Sequence, residues 1–292
     1  MLQFVQIFIL GLSLGGVYAL MSSGLTLIFG VMRIVNLAHA AFIIIAAYIS
    51  YFLFQNFQLD PLLSMLVTVP AMFIFGILIY KLLFSRLAES ARFVDSTVLL
   101  TFALGLVVEG TLSYFFSGIY RSTSPRYAMA ALDLGPLYFP EGQFYATLTS
   151  ISLLVLLWAF LRFTRTGYAI RATMQNRMAA RTVGVNVDRV SLITFGLGAA
   201  LAGASGALIS FLFTFFPAKH WEWISLLMAL IVLGGMGSLL GALVGSLLLG
   251  VASAFVSFHF GPIWSPITFF LALFIILMVR PQGLFGKKLE GT

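Results

Sequence analysis

The segment that decides how this chain folds is RFTRTGYAIRATMQNRMAARTVGVNVDR, residues 162–189. It contains six arginines and a single acid, Asp188, and a long apolar run flanks it on each side. Across all 292 residues, 61% are hydrophobic and only 9% are charged. A basic segment between runs long enough to cross hydrocarbon is typical of a loop in a polytopic membrane protein.

The apolar runs predict one all-α transmembrane domain, residues 1–292, with about eight to ten helices, some of them short or broken at glycines. The predicted spans are residues 5–30, 36–54, 62–80, 96–117, 144–161, 190–216, 225–257 and 266–279. The amino terminus lacks the basic region and small-residue cleavage site of a signal peptide, so we expect the first run to be a retained span.

The distribution of Lys and Arg predicts the orientation, because basic loops remain in the cytoplasm. Placing Arg33, residues 81–95, residues 162–189 and the tail inside leaves only three of the 16 basic residues outside. Residues 119–143, which contain three prolines, then form a periplasmic loop, and the amino terminus is also outside. The carboxyl terminus reaches the cytoplasm only if residues 225–257 form two short helices joined by a glycine turn, which gives about nine crossings.

Polar groups within the spans are candidates for a solute path. Glu109 is the only acid well inside a predicted span, and it either contacts a solute amino group or is a partnered residue near the outer end of its span. Asn36 and His39 share one helix face and either cap the turn after Arg33 or lie at an inner gate. The glycines that either pack helices closely or line a path near the midplane are Gly234, Gly235, Gly237 and Gly241.

Several classes of function are disfavoured by the sequence. The chain has no cysteine, so disulfides and thiolate metal sites are excluded. It has neither a nucleotide-binding P-loop nor an HExxH motif, and its three histidines are scattered, so we predict neither an enzyme nor a metal site. The net charge of +7 fits topology and anionic lipid better than nucleic acid.

Five motifs together resemble the permease subunits of branched-chain amino acid ABC transporters. They occur in the family's order, from near the amino terminus to the tail. The motifs are GGVYALMSSGLTLIFGVMRIVNLAHAAF (15–42), GYAIRATMQNRMAARTVGVN (167–186), AALAGASGAL (199–208), LGGMGSLLGALVG (233–245) and VRPQGLFG (279–286). Two positions depart from the family's pattern, since Met178 stands where glutamate is frequent and Ala40 where glycine is frequent.

The resemblance implies an inner-membrane permease, cytoplasmic at its carboxyl terminus, for leucine, isoleucine or valine. Its partners would be a second permease chain, either a related one or another copy, two ATPase subunits and a periplasmic solute-binding protein. This chain would carry no cofactor, since ATP and Mg²⁺ would bind to the ATPase subunits. The residues expected in its cytoplasmic coupling loop are Gly167, Arg171, Arg177, Ala179, Ala180, Arg181 and Gly184.

Three alternatives remain open at the level of sequence. Related permeases carry urea, short amides or other amino acids, and nothing in the sequence excludes those solutes. A secondary carrier or channel would work without ATP, although Glu109 is the only residue available as its coupling site. An intramembrane enzyme would need paired catalytic groups, which the sequence does not offer.

Overall fold

The protein is seen in a computed structural model that describes residues 1–85, 93–133, 135 and 137–286. Within these residues nearly all regular structure is helical, and the exception is a small antiparallel hairpin of β1 (Ala131–Asp133) and β2 (Tyr138–Pro140). The helices are α1 (Leu2–Met32), α2 (His39–Phe57), α3 (Pro61–Ile79, extended by a π turn over Tyr80–Phe84), α4 (Phe93–Phe116), α5 (Glu141–Phe163), α6 (Arg165–Gln175), α7 (Arg177–Thr182), α8 (Val187–Leu212), α9 (His220–Gly234), α10 (Leu239–Phe260) and α11 (Ser265–Val279).

Eight helices of the described chain are long and apolar enough to cross a membrane. These are α1, α2, α3 with its π turn, α4, α5, α8, α10, and α11 with the short turn that precedes it. The fold is therefore an all-α polytopic membrane protein, as the sequence predicted. The remaining predicted crossing, α9, has only 15 residues. At 1.5 Å per residue it spans about 22 Å, which is less than the roughly 30 Å of hydrocarbon.

The glycine-rich region folds as two helices, as the orientation argument required, although only α9 is short, since α10 has 22 residues. Helices α9 and α10 are separated by residues 235–238, which we call the glycine turn. Gly235 and Gly237 adopt positive φ angles of 98° and 84°, a conformation that side chains with a Cβ rarely adopt. One continuous helix through this region is thereby ruled out.

Several predicted boundaries were wrong by a few residues. Helix α3 continues to Phe84 where a loop was expected from Lys81, and α4 begins at Phe93. The sixth span ends at Leu212 rather than at Phe216, because the backbone of Phe213 is extended. Apolar composition continues through such breaks, so it does not mark where a helix stops. Parts of the predicted loops and tail, residues 86–92, 134, 136 and 287–292, lie outside the described part of the chain.

Small residues bring the central helices close together. Helices α1 and α10 are antiparallel, and a Cβ built on Gly15 would lie 2.8 Å from the Cα of Leu247. Helix α8 packs in the same way against α3, where a Cβ on Gly203 would lie 2.7 Å from the carbonyl oxygen of Thr68. In lipid no hydrophobic force drives helices together, so these close backbone contacts supply much of the packing energy.

Buried hydroxyl groups add polar links between the same helices. The Ser22 and Ser246 hydroxyls lie 3.2 Å apart and join α1 to α10. The Ser50 hydroxyl on α2 lies 2.8 Å from that of Ser64 on α3 and 3.3 Å from that of Ser210 on α8. Such interhelical bonds contribute on the order of 1 kcal/mol each in membranes.

Gly15→Val is expected to weaken the α1–α10 contact, since its side chain would overlap the α10 backbone. Overpacking of this kind costs about 1–3 kcal/mol. Gly110→Val is the matched control, because a Cβ on Gly110 meets nothing within 4 Å. The thermal unfolding midpoint of each purified variant measures the effect. Equal midpoints for the two variants would contradict the close packing.

Candidate functional site

Contacts between distant segments place three of the predicted basic segments, which are Arg33, residues 162–189 and the tail, at one end of the bundle. The Arg33 guanidinium lies 3.5 Å from the carbonyl oxygen of Met174 in α6. A Cβ on Gly237 would lie 3.3 Å from the Cα of Gly30, near the end of α1. The tail reaches the same place, where the Leu284 amide donates to the carbonyl oxygen of Leu233 over 2.8 Å. We call this the arginine end.

The opposite end, which we call the hairpin end, is built around residues 119–143. The Gln6 side chain bonds to the backbone of Tyr138 in β2. Arg121 exchanges two backbone bonds of 2.9 Å with Phe215. Tyr127 donates to the Asp60 carboxylate over 2.9 Å, and that carboxylate also caps α3. These bonds fix the long loop against the ends of α1, α3 and α8.

The predicted coupling loop folds as two short helices at the arginine end. The Thr164 hydroxyl caps α6 by accepting from the Gly167 amide over 2.9 Å, and the Asn176 side chain caps α7 by accepting from the Ala179 amide over 3.0 Å. Gly167 is buried, and a Cβ there would lie 2.6 Å from the Cα of Leu161. Its lack of a side chain therefore allows α6 to fold back against the end of α5.

Helix α7 and the residues after it expose a mixed apolar and basic surface. Met178 is 72% exposed and Val183 is 77% exposed. Arg181 is also exposed, and its guanidinium lies 3.5 Å from the Asp188 carboxylate. Gly184 ends this surface with a φ of 86°.

The other residues of the predicted coupling loop differ in how far their side chains are exposed. Ala180 is buried, whereas Ala179 is exposed. The Arg171 guanidinium lies 4.8 Å from the centre of the Tyr168 ring, and Arg177 is half-buried at the start of α7. The loop therefore keeps part of its basic charge at the surface.

Asn36 and His39 lie at the break between α1 and α2, and both are fully buried. The Asn36 side chain accepts from the Ala38 amide over 3.2 Å, which is the capping contact that the sequence allowed. His39 Nε2 lies 3.3 Å from the carbonyl oxygen of Met21, eleven positions before the end of α1. The break is therefore set well inside the bundle. Asn36 Nδ2 and His39 Nδ1 have no hydrogen-bond partner among the described residues.

Thr101 contacts the backbone of this break, and no sequence motif marks it as a functional residue. Its hydroxyl accepts from the Leu37 amide over 3.2 Å and lies 3.3 Å from the carbonyl oxygen of Val35. Irregular backbone at membrane depth must find such partners, because lipid offers none. A lone threonine in an apolar helix is common, so only the tertiary contact identifies its role.

Glu109 is partnered. Its carboxylate accepts from the Trp221 indole N–H over 2.8 Å and lies 3.2 Å from His220 Nε2. The two partners open α9, whereas Glu109 is seven positions before the end of α4. His220 is fully buried.

The glycine turn is closely packed, which is one of the two roles that the sequence allowed. It lies beside Gly30 at the arginine end rather than near the middle of the bundle. Gly234 and Gly241 face each other across the turn, and a Cβ on Gly234 would lie 2.6 Å from the Ala242 amide nitrogen. The tail covers the turn, with a Cβ on Gly235 falling 2.9 Å from the Cα of Gly286. Because glycine has no side chain, the end of α9, the start of α10 and the tail can contact one another through their backbones here.

Within residues 1–85, 93–133, 135 and 137–286, no three His, Cys, Asp or Glu side chains come together as a metal site. Among the sequence-predicted site residues, the structure shows a buried break, the Glu109 contacts, a packed glycine turn and an exposed basic loop. These features define a multi-pass membrane protein with an exposed basic loop at one end of its helical bundle.

The family described as the branched-chain amino acid transport system permease component matches residues 7–280. The chain belongs to this family, and it is a multi-pass membrane transport permease that functions with other subunits of its transport system.

Three relatives, each 28% identical, illustrate the similarity. One is a probable branched-chain amino acid transport permease protein LivH of Methanocaldococcus jannaschii, matched over 93% of this chain and 90% of its own length. The others are the high-affinity permeases LivH of Escherichia coli K12 and BraD of Pseudomonas aeruginosa, each matched over 98% of this chain and 96% of its own length. No solved structure gives a significant match.

The Tyr127–Asp60 contact predicts a pH dependence at the hairpin end. Burial, and then the hydrogen bond to Asp60, raise the pKa of Tyr127 above its usual 10.0. A raised folded-state pKa gives stability that is present below pH 10 and is lost as the pH rises through the folded value.

We therefore expect the thermal midpoint to fall between pH 10 and pH 11.5 less steeply in Tyr127→Phe than in the unmodified protein. Comparing the two slopes cancels the titration of the other tyrosines. Identical slopes would show that Tyr127 ionises equally in both states and would contradict the buried contact.

Proposed function

We propose that this chain is the permease subunit of an ATP-driven importer for branched-chain amino acids. The observation that carries the proposal is the family match over residues 7–280, extended by relatives similar over nearly the whole chain. The all-α bundle with eight potential spans supports a translocating subunit. In this proposal a second permease chain, related or identical, completes the path across the bacterial inner membrane.

The arginine end would face the cytoplasm and bind the ATPase subunits. Positive charge in loops favours the cytoplasmic side, which supports this orientation and a cytoplasmic carboxyl terminus. Helix α7 and the residue after it present Met178 and Val183 beside Arg181, a pattern suited to a groove with an acidic rim. ATP and Mg²⁺ would be bound by the ATPase subunits and by no site on this chain.

Movement would pass from the coupling loop into the bundle through direct contacts. Gly30 of α1 packs against Met174 of α6 and against the glycine turn, so α6 touches α1 beside that turn. A shift of α6 on ATP binding would displace α1, α9 and α10 together. Rigid packing of this kind transmits a displacement rather than absorbing it.

The solute path would use polar groups at three depths. Glu109 lies towards the hairpin end, whereas Asn36 and His39 lie at the buried break. The third group would be the backbone of the glycine turn at the arginine end, formed by Gly234, Gly235, Gly237 and Gly241. At the hairpin end, the exposed β1–β2 hairpin would contact a periplasmic solute-binding protein.

The importer itself is tested by reconstitution. The chain, co-purified with its partner permease and ATPase subunits, should take up leucine into liposomes only when the binding protein and ATP are both supplied. Urea, acetamide and a basic amino acid serve as competing solutes in the same assay. Leucine uptake without the ATPase subunits would contradict the proposal in favour of a secondary carrier, and preferential uptake of another solute would overturn the substrate assignment.

The coupling loop is tested at Gly184, where an indole would protrude from the proposed docking surface. We expect Gly184→Trp to lower ATP-driven uptake at least about tenfold, as expected when docking contacts are lost. Gly184→Asn is the matched control, because asparagine tolerates a positive φ and adds little bulk.

Co-purification of the ATPase subunits is measured alongside uptake, and membrane insertion of both variants confirms folding. We expect Gly184→Trp to lose the ATPase subunits and Gly184→Asn to keep them. Normal uptake by the tryptophan variant would place the docking surface elsewhere.

A further inference from the structure

A cavity of about 200 Å³ opens at the hairpin end between α1, α9 and α11. The volume corresponds to roughly seven waters at about 30 Å³ each, which is enough for a small amino acid. The cavity is separate from Glu109, from the buried break and from the glycine turn, because none of their residues line it. The residues of its wall that matter here are Tyr18, Lys219, Glu222, Trp223, Ser265 and Phe269.

The cavity carries one charge of each sign. The Lys219 ammonium lies 2.5 Å from the Glu222 carboxylate, and the side chains are 23% and 53% exposed. Neither group has another charged partner in the part of the chain that the structure describes. A partly exposed pair of this kind contributes little stability, so a ligand with both charges exchanges with it at small cost.

Two helices begin at the same cavity. Lys219 is the residue before α9, and Ser265 is the first residue of α11. A 3-10 turn precedes each helix, over Pro217–Lys219 and Pro262–Trp264, and the Ser265 amide donates to the carbonyl oxygen of Pro262. The dipole of each helix places positive potential at its start. The two starts and Lys219 therefore favour an anionic group on one side of the cavity, with the Glu222 carboxylate facing a cation.

Aromatic side chains form the inner wall. The Tyr18 and Phe269 rings meet edge to face at 5.7 Å, and the Trp223 ring lies 6.4 Å from that of Tyr18. Trp223 is only 5% exposed, and its indole N–H has no acceptor among the described residues. This wall offers an apolar surface to a branched aliphatic group next to the paired charges.

We propose that this cavity binds a zwitterionic amino acid before it enters the path. The carboxylate would lie by Lys219 and the two helix starts, the ammonium group by Glu222, and the side chain against Tyr18, Trp223 and Phe269. The identity of the solute rests on the proposed function. A phosphatidylethanolamine headgroup shares the same two charges, so the experiment must separate a free amino acid from a lipid.

The test is saturation-transfer NMR on the full transporter complex in nanodiscs of pure phosphatidylglycerol, without binding protein or ATP. Leucine is the probe, and leucinamide and isocaproate are the analogues that lack the carboxylate and the ammonium group. We expect transfer to the leucine methyl groups and about tenfold weaker binding of each analogue. Glu222→Gln and Lys219→Gln should weaken leucine binding to a similar extent, about tenfold.

Two further variants separate charge from folding. Lys219→Arg keeps the positive charge and should restore leucine binding. Glu141→Gln is the matched control for Glu222→Gln, because Glu141 is also in the first turn of a helix at the hairpin end but does not line the cavity. Its leucine signal should equal that of the unmodified complex.

The outcomes distinguish an amino acid site from a lipid-headgroup site and from no binding site. No leucine signal in the unmodified complex, or an equal signal in Glu222→Gln and Lys219→Gln, would overturn the proposal. Displacement of leucine by added phosphatidylethanolamine would assign the cavity to a lipid headgroup and would also overturn the amino acid proposal.

Uptake assays distinguish a failure of the cavity proposal from a failure of the proposed importer function. Normal leucine uptake by both variants would reject only the cavity, whereas no uptake by the unmodified importer would reject the proposed function.

Discussion

The structure depends on one constraint, that helices in lipid must be held together without a hydrophobic force between them. Glycines on α1 and α10 meet this constraint by allowing backbone contact, and α8 meets it against α3 through Gly203. Serine hydroxyls then join the helices already in contact, as at Ser22 and Ser246. The remaining features of the bundle take their positions from these contacts.

Because α1 and α10 are antiparallel, the end of α1 and the start of α10 both lie at the arginine end. This arrangement brings the glycine turn next to Gly30, and the tail then closes over the turn through Leu284 and Phe285. The coupling loop reaches the same place through Met174. The surface proposed for ATPase docking is thus one contact away from the helices that would have to move, which gives the proposed coupling a physical basis.

The short helix α9 gives the hairpin end its chemistry. The start of this helix combines charged and aromatic residues, in the run Lys219–Trp223. His220 and Trp221 meet Glu109 on one side, while Lys219 and Glu222 line a cavity on the other. Neighbouring residues at one helix start thereby contribute to two separate polar sites.

The sequence by itself determined the all-α membrane fold, the eight long spans and the pair of helices around the glycine turn. Apolar length and basic loops carry that information locally. It also determined the family, through motifs at fixed positions. Only the tertiary structure decided that Thr101 supports the buried break, that Glu109 meets His220 and Trp221, and that Lys219 and Glu222 face a cavity. These contacts join residues far apart in the chain or depend on which helix ends lie together. Hydrophobic periodicity and composition describe only local sequence, so they cannot predict such contacts.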